Sequence, residues 1–169
     1  MGHLGDALHV LPTLRSIKQQ RPDVQLEVVT GPWNKGVLAG QDGILEKVHY
    51  FTSDVFQFNR GQKKGVRSID GEKQFIRDMR GGGVDLVFCP TNPHFSELPL
   101  IAGLQPSRYI GGEWGLAPLL VAFPVTTQPF DSRRYELDAV ADFLPLMGLE
   151  RKPVALEYQI ASASMTKVA

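Results

Sequence analysis

The sequence predicts an α/β fold, a mostly parallel sheet covered by helices on both faces. Short β-branched or apolar runs alternate along the chain with stretches of helical period. Glycine and proline pairs mark nearly every change between them. The third observation is the start of the chain, Met1-Gly-His-Leu-Gly-Asp-Ala-Leu-His-Val-Leu-Pro12. There a small glycine loop carries Asp6 straight into an apolar-periodic segment, as where a strand hands over to a helix N-terminus beside a ligand. No strand stands ahead of that loop, so the domain is expected to begin one strand late.

The elements follow in order. Ala7, Leu8, Val10, Leu11, Leu14 and Ile17 fall on helical spacing that ends near Arg21-Pro22, and Pro12 implies either a kink or a start close to His9. Gln25 to Thr30 reads as a strand closed by Gly31-Pro32, followed by a weak helix from about Trp33 to Leu38. A second strand runs from Lys47 to Phe51, and residues 52 to 68 read as a polar, basic, aromatic loop. Phe75, Ile76 and Met79 mark a helix ending at Gly81-Gly82-Gly83, and Asp85 to Cys89 is a buried strand stopped by Pro90. A helix from about Phe95 to Gly103 leads to a strand at Arg108 to Ile110. Residues 112 to 130 are expected to be irregular because Pro118, Pro124 and Pro129 interrupt them. Asp131 to Gly148 is the clearest helix, with Leu137, Val140, Leu144 and Met147 on one face, Asp131 or Ser132 as its cap and Gly148 at its end.

The bulk properties bound the function. A chain of 169 residues, 43% of them hydrophobic, suffices for one domain with a sizeable core. Its 18 basic and 18 acidic residues balance, so no global field points to nucleic acid or to a membrane. The single cysteine, Cys89, excludes an intrachain disulfide framework and a cysteine-rich zinc site, and favours a reducing compartment. No apolar run reaches the length of a membrane span, and no export signal opens the chain.

Several residues are candidates for chemistry. Asp6 either satisfies the helix start as an ordinary N-terminal carboxylate or stands at the mouth of the sheet as a general base on a hydroxyl. Gly2 and Gly5 let backbone approach a ligand or a neighbouring loop. Neither G-x-G-x-x-G nor a G-K-S/T phosphate loop occurs, which argues against nicotinamide and ATP sites. His9 lies one helical turn after Asp6 and either touches the site or packs into a helix interface. Between Arg60 and Arg80 stand seven basic residues (60, 63, 64, 67, 73, 77, 80) against three acidic ones (70, 72, 78). Arg60, Lys63, Lys64 and Arg67 form either a solvated face or a mobile cationic loop that captures an anionic substrate. Asn92, His94, Ser96 and Glu97 follow a strand at its carboxyl end, where they line a site or start the next helix. Cys89 reads as a buried small residue rather than a nucleophile.

The segment Gly-His-Leu-Gly-Asp-Ala-Leu-His-Val-Leu-Pro-Thr-Leu-Arg-Ser-Ile-Lys (2 to 18) resembles the opening of the family 9 glycosyltransferases, the lipopolysaccharide heptosyltransferases and their relatives. Pro22-Asp-Val-Gln-Leu-Glu-Val-Val, Val84-Asp-Leu-Val-Phe, Ser107-Arg-Tyr-Ile-Gly and Arg133-Arg-Tyr-Glu-Leu-Asp resemble later pieces of the same family, so the match covers roughly residues 2 to 150. The resemblance implies the N-terminal, Rossmann-like half of a GT-B architecture: residues 1–150 as the acceptor-binding domain and 151–169 as the start of an interdomain linker or a frayed tail. It implies a metal-independent, inverting transfer of a heptose-like sugar from a nucleotide-sugar such as ADP-heptose, with no bound cofactor. The acceptor is an anionic lipopolysaccharide or other surface glycan. Asp6 maps onto the family's base. Gly5 and His9 stand beside it, and the loop from Arg60 to Arg67 corresponds by region to the basic residues that hold the acceptor. A cytoplasmic location follows, open to peripheral contact with the inner face of the bacterial inner membrane.

Two departures qualify these expectations. The first strand is missing before Gly2, and the donor-binding C-terminal domain is missing after residue 150. The chain is therefore expected to be inactive alone. The alternatives are a module that binds an anionic glycan without chemistry and a truncated remnant that self-associates through unpaired sheet edges.

Overall fold

The computed structural model describes residues 4–51, 69–91, 97–113, 123–129 and 136–153. The chain divides into two compact units, Met1–Thr52 with Arg134–Ala169, and Ser53–Arg133. All observed strand pairings are parallel, as an alternation of strands and helices requires. The fold is α/β and Rossmann-like. Among the described residues, however, the strands form two sheets rather than one. The split falls between the strands on either side of the basic loop.

In the first unit, helix α1 (Leu4–Gln20) contains Pro12 in its interior. The helix starts earlier than a boundary near His9 and runs through the proline. Ala7, Val10, Leu11, Leu14 and Ile17 are buried, and so are Pro12, Thr13 and Ser16 on the other side. Residues 10–14 are thus buried without a gap around Pro12, and packing holds the helix where local propensity would break it. Strand β1 (Glu27–Thr30) pairs in parallel with β2 (Lys47–Tyr50), with Thr30 opposite Tyr50. Between them lie a single 3₁₀ turn, Pro32–Asn34, and the short helix α2 (Lys35–Leu38). This replaces the weak helix expected from Trp33 onward.

The second unit opens with α3 (Ile69–Gly81), which is acidic in its first turn at Asp70 and Glu72 and basic in its last at Arg80, as the helix dipole favours. Strands β3 (Leu86–Cys89), β4 (Arg108–Gly112) and β5 (Val125–Gln128) form a three-stranded sheet in that order. Helix α4 (Leu98–Leu104) crosses between β3 and β4. It meets α3 at Gly103, where an added Cβ would come within 2.6 Å of Ile76 Cδ1. Strand β5 corrects the expectation of an irregular stretch. Pro124 and Pro129 bound a β-branched Val-Thr-Thr run instead of disrupting it, and the Pro124 carbonyl accepts the Tyr109 amide at 2.9 Å.

The chain then returns to the first unit with α5 (Glu136–Ala141), which contacts α1, and a 3₁₀ turn at Leu144–Met147. The single helix expected to reach Gly148 is therefore broken. Pro145 has no amide to continue the α-helical ladder, so the chain tightens into 3₁₀ geometry. Gly148, at φ 75°, ends that turn. Asp131 and Ser132, the expected caps, lie outside the described residues, as do residues 52–68.

The ends of these elements are cross-linked at the amino side of the β1–β2 sheet. The Lys18 ammonium donates to Glu46 Oε1 at 2.5 Å and to the Val24 carbonyl at 2.8 Å, while Glu46 Oε2 accepts the Leu26 amide at 2.6 Å. The Gln20 amide exchanges two hydrogen bonds with the Glu150 backbone, at 3.0 and 2.8 Å. Lys18 holds the Glu46 carboxyl below its ordinary value of 4.5. Because the folded state prefers the carboxylate, this clamp contributes above the ordinary carboxylate range and is lost as pH falls through the depressed value. Glu46→Gln is expected to cost roughly 0.5–1 kcal/mol at neutral pH, a figure that allows for exposure and screening. Urea unfolding should find that cost at neutral pH and find it shrinking as pH falls below the ordinary carboxylate range.

Candidate functional site

Ligands of open α/β folds bind beyond the carboxyl ends of the parallel strands, where the following helices begin. In the first unit that region holds the start of α1 and the turn after β1. Gly5 and Asp6 lie in the first turn of α1, with His9 one turn later. Gly5 is exposed, and a Cβ added there would meet nothing within 4 Å. Packing therefore does not require the glycine, which lowers helix propensity at that position. Asp6 and His9 are each half-buried, while Ala7 and Val10 between and beyond them face the core. The helix presents Asp6 at its positive end, where a negative charge is favoured. A carboxylate held there by a rigid, enclosed helix can accept a proton from a hydroxyl brought to it.

The sequence candidates divide clearly. Gly5, Asp6 and His9 share one helix end. Arg60, Lys63, Lys64 and Arg67 lie outside the described residues, as do Asn92, His94 and Ser96. Glu97 is half-buried at the start of α4 and belongs to the second unit. Among the described residues, no group of three or more His, Cys, Asp and Glu side chains is placed to hold a metal ion. Nor is any described helix long and apolar enough to cross a membrane.

Sequence reading missed the turn after β1. Asn34 is fully buried and donates from Nδ2 to Thr30 Oγ1 at 2.7 Å, folding the Pro32–Asn34 turn back onto the strand end. The Trp33 ring lies against Gly31, where a Cβ would stand 2.2 Å from Trp33 Cζ2. Trp33 is 40% exposed, and Tyr50 at the end of β2 is 37% exposed. The signal was present: a tryptophan directly follows the Gly-Pro pair that stops a strand at its carboxyl end.

Cys89 sits at the carboxyl end of β3, in an apolar cluster with Leu98, Ile101 and Tyr109. Burial, reinforced by the nearby Glu97 carboxylate, pushes its thiol up to about 11. Burial likewise raises the Tyr109 phenol above its ordinary value, with Cys89 and Glu97 adding to the shift. Cys89 is thus a neutral thiol at physiological pH, in keeping with its reading as a structural residue. In the folded chain at pH 8, alkylation of Cys89 is expected to run at least ~100-fold slower than in the denatured chain. Iodoacetamide labelling followed by mass spectrometry checks this, and the native rate should keep rising with pH towards 11.

No family model matches the sequence, and no curated protein matches it. The fold is similar to the crystal structure of a glycosyl transferase family 9 protein from Veillonella parvula DSM 2008, with a TM-score of 0.74 and 17% sequence identity. The alignment covers 98% of this chain and 45% of that one, so the chain spans a little under half the length of the protein it resembles. What the two share is the fold, an α/β arrangement used by a glycosyltransferase.

Proposed function

We propose that the chain is the acceptor-binding part of an inverting glycosyltransferase, with Asp6 as its general base. The observation that carries this reading is the fold likeness to the family 9 protein over nearly the whole chain. It agrees with the G-D-A-L-H-V-L-P segment that resembles the opening of that family. On this reading residues 1–150 form the acceptor domain, and 151–169 begin the passage towards a donor-binding domain.

The chemistry balances as follows. Asp6 takes the proton of an acceptor hydroxyl as its oxygen attacks the anomeric carbon of a nucleotide-sugar. The new glycosidic bond forms as the bond from that carbon to the diphosphate breaks, and the nucleoside diphosphate leaves with the electron pair. Attack from the opposite face inverts the anomeric centre. Stabilisation of the leaving diphosphate falls to basic groups or a helix N-terminus of the donor-binding domain. His9 borders the acceptor, Gly5 leaves room for it, and Arg60, Lys63, Lys64 and Arg67 grip its anionic groups. A heptose-like sugar from ADP-heptose and a lipopolysaccharide or related surface-glycan acceptor, handled at the cytoplasmic face of the bacterial inner membrane, are the finer form of the same proposal.

Asp6→Asn tests it, because the change removes the base and keeps the shape. With the chain fused to a nucleotide-sugar-binding domain, the variant is expected to lose transfer by about 10²–10⁴-fold. Acceptor binding should stay within about twofold, since general-base catalysis acts in the transition state. Transfer by Asp6→Asn at the parent rate would remove Asp6 from the mechanism.

A further inference from the structure

We propose that Trp33, held in place by Gly31, and Tyr50 form a stacking platform for a pyranose ring at the carboxyl end of the β1–β2 sheet. This rests on the glycosyltransferase reading and adds to it a specific place for a sugar ring.

Three observations converge. First, both aromatic residues are at the ligand-binding end of the sheet. Tyr50 is the register partner of Thr30, the last residue of β1, and Trp33 stands three residues beyond Thr30. With Leu86 of the other unit they make up the exposed large hydrophobic residues among those described. Second, Trp33 is exposed and yet positioned. The Asn34–Thr30 bond ties down the turn that carries it, and the indole lies where any side chain at residue 31 would have to go. Gly31 has φ −75° and ψ 156°, an extended conformation open to any residue, so its lack of a side chain answers to the indole and not to the backbone. Third, a cation lies close in sequence. Lys35 is exposed two residues beyond Trp33.

An exposed aromatic plane fixed in this way loses little conformational freedom on binding. The negative face of an aromatic ring attracts the weakly positive C–H groups on one face of a pyranose. A flat indole and a phenol with its own hydroxyl therefore suit a sugar ring, and the Lys35 ammonium suits a phosphate or carboxylate substituent on it.

The test uses the phosphorylated inner-core oligosaccharide released from lipopolysaccharide as probe and inorganic phosphate as the sugar-free control. The chain has two tryptophans, Trp33 and Trp114, so in a Trp114→Phe background the indole emission reports Trp33 alone. The oligosaccharide is expected to shift that emission saturably and phosphate alone to leave it unchanged. By calorimetry, Trp33→Ala should weaken binding about tenfold, an ordinary effect for loss of an aromatic anchor. Trp33→Phe should stay within about threefold, because it keeps an aromatic face. Gly31→Ala is the sharper variant. It retains the tryptophan but forces the indole from its place, where an added Cβ would stand 2.2 Å from Cζ2, and binding by the variant, checked as folded by circular dichroism, should fall as in Trp33→Ala. If the chain binds the oligosaccharide with no change in Trp33 emission, or if Trp33→Ala and Gly31→Ala bind as the parent does, the platform is refuted and the glycosyltransferase reading stands. If the parent chain shows no saturable binding of the oligosaccharide at all, that reading fails and the platform fails with it.

Discussion

The enclosure of α1 is the constraint on which the first unit depends. Ala7, Val10, Leu11, Leu14 and Ile17 are each no more than 7% exposed, and the helix is in contact with α2, the turn after β1 and α5. Full burial of a large aliphatic side chain contributes roughly 1.5–3 kcal/mol. Several such contributions outweigh the ~3 kcal/mol that a proline costs inside a helix. That comparison explains why α1 runs unbroken through Pro12. It also fixes the rotation and the end point of the helix. Asp6 stands where it does because the turns that follow it bury residues 10–14 without a gap and so hold the helix in register.

The polar groups of this unit divide accordingly. At the amino end of the β1–β2 sheet, Lys18, Glu46, Gln20 and Glu150 form short, mutually satisfied bonds that join segments up to 130 residues apart in sequence. Arg151 adds a fork to Asp138 and Asp142 at 3.1 and 2.6 Å. These contacts close the fold and leave their groups little capacity for a ligand. The carboxyl end is built differently. It presents a glycine that packing does not need, a carboxylate at a helix start and two exposed aromatic rings. The contacts that close the fold thus gather at the amino end of these elements and leave the carboxyl end, where open α/β folds bind ligands, to the site proposed above.

Much of this was legible in the sequence, and the exceptions have physical causes. The runs of apolar residues located α1, α3 and every strand from β1 to β4 within a few residues, although β3, expected to be buried, is half-buried and opens on the exposed Leu86. The effect of a proline depends on what surrounds it, which spacing along the chain does not show. Pro12 is tolerated by enclosure, Pro124 and Pro129 frame β5, and Pro145 splits the expected final helix into α5 and a 3₁₀ turn. Asp6, Gly5 and His9 could be picked out because a glycine loop running into a helix has a sequence signature. Tyr50 had none of that kind, and Trp33 only its place directly after the Gly31-Pro32 pair. Their exposure arises from strand register and from a ring folded back on its own chain, neither of which spacing alone reveals.

The same device, an aromatic ring laid over a glycine, recurs in the second unit with the opposite result. At Gly111 an added Cβ would stand 2.4 Å from the Tyr109 hydroxyl and 2.7 Å from its Cζ, so the phenol covers the glycine much as the indole covers Gly31. Tyr109, however, is fully buried, and its ring closes the carboxyl end of β3 and β4 against Leu98 and Ile101. There the ring serves the core. It joins Cys89 in an apolar setting that keeps both groups neutral and removes the thiol from nucleophilic chemistry. Trp33 meets its glycine in the same geometry but keeps 40% of its surface in water. Exposing a large apolar ring is unfavourable, and immobilising it removes the entropy that would offset the exposure. A sugar ring bound as proposed above would cover the indole and recover that cost, at the end of the sheet where Asp6 also stands.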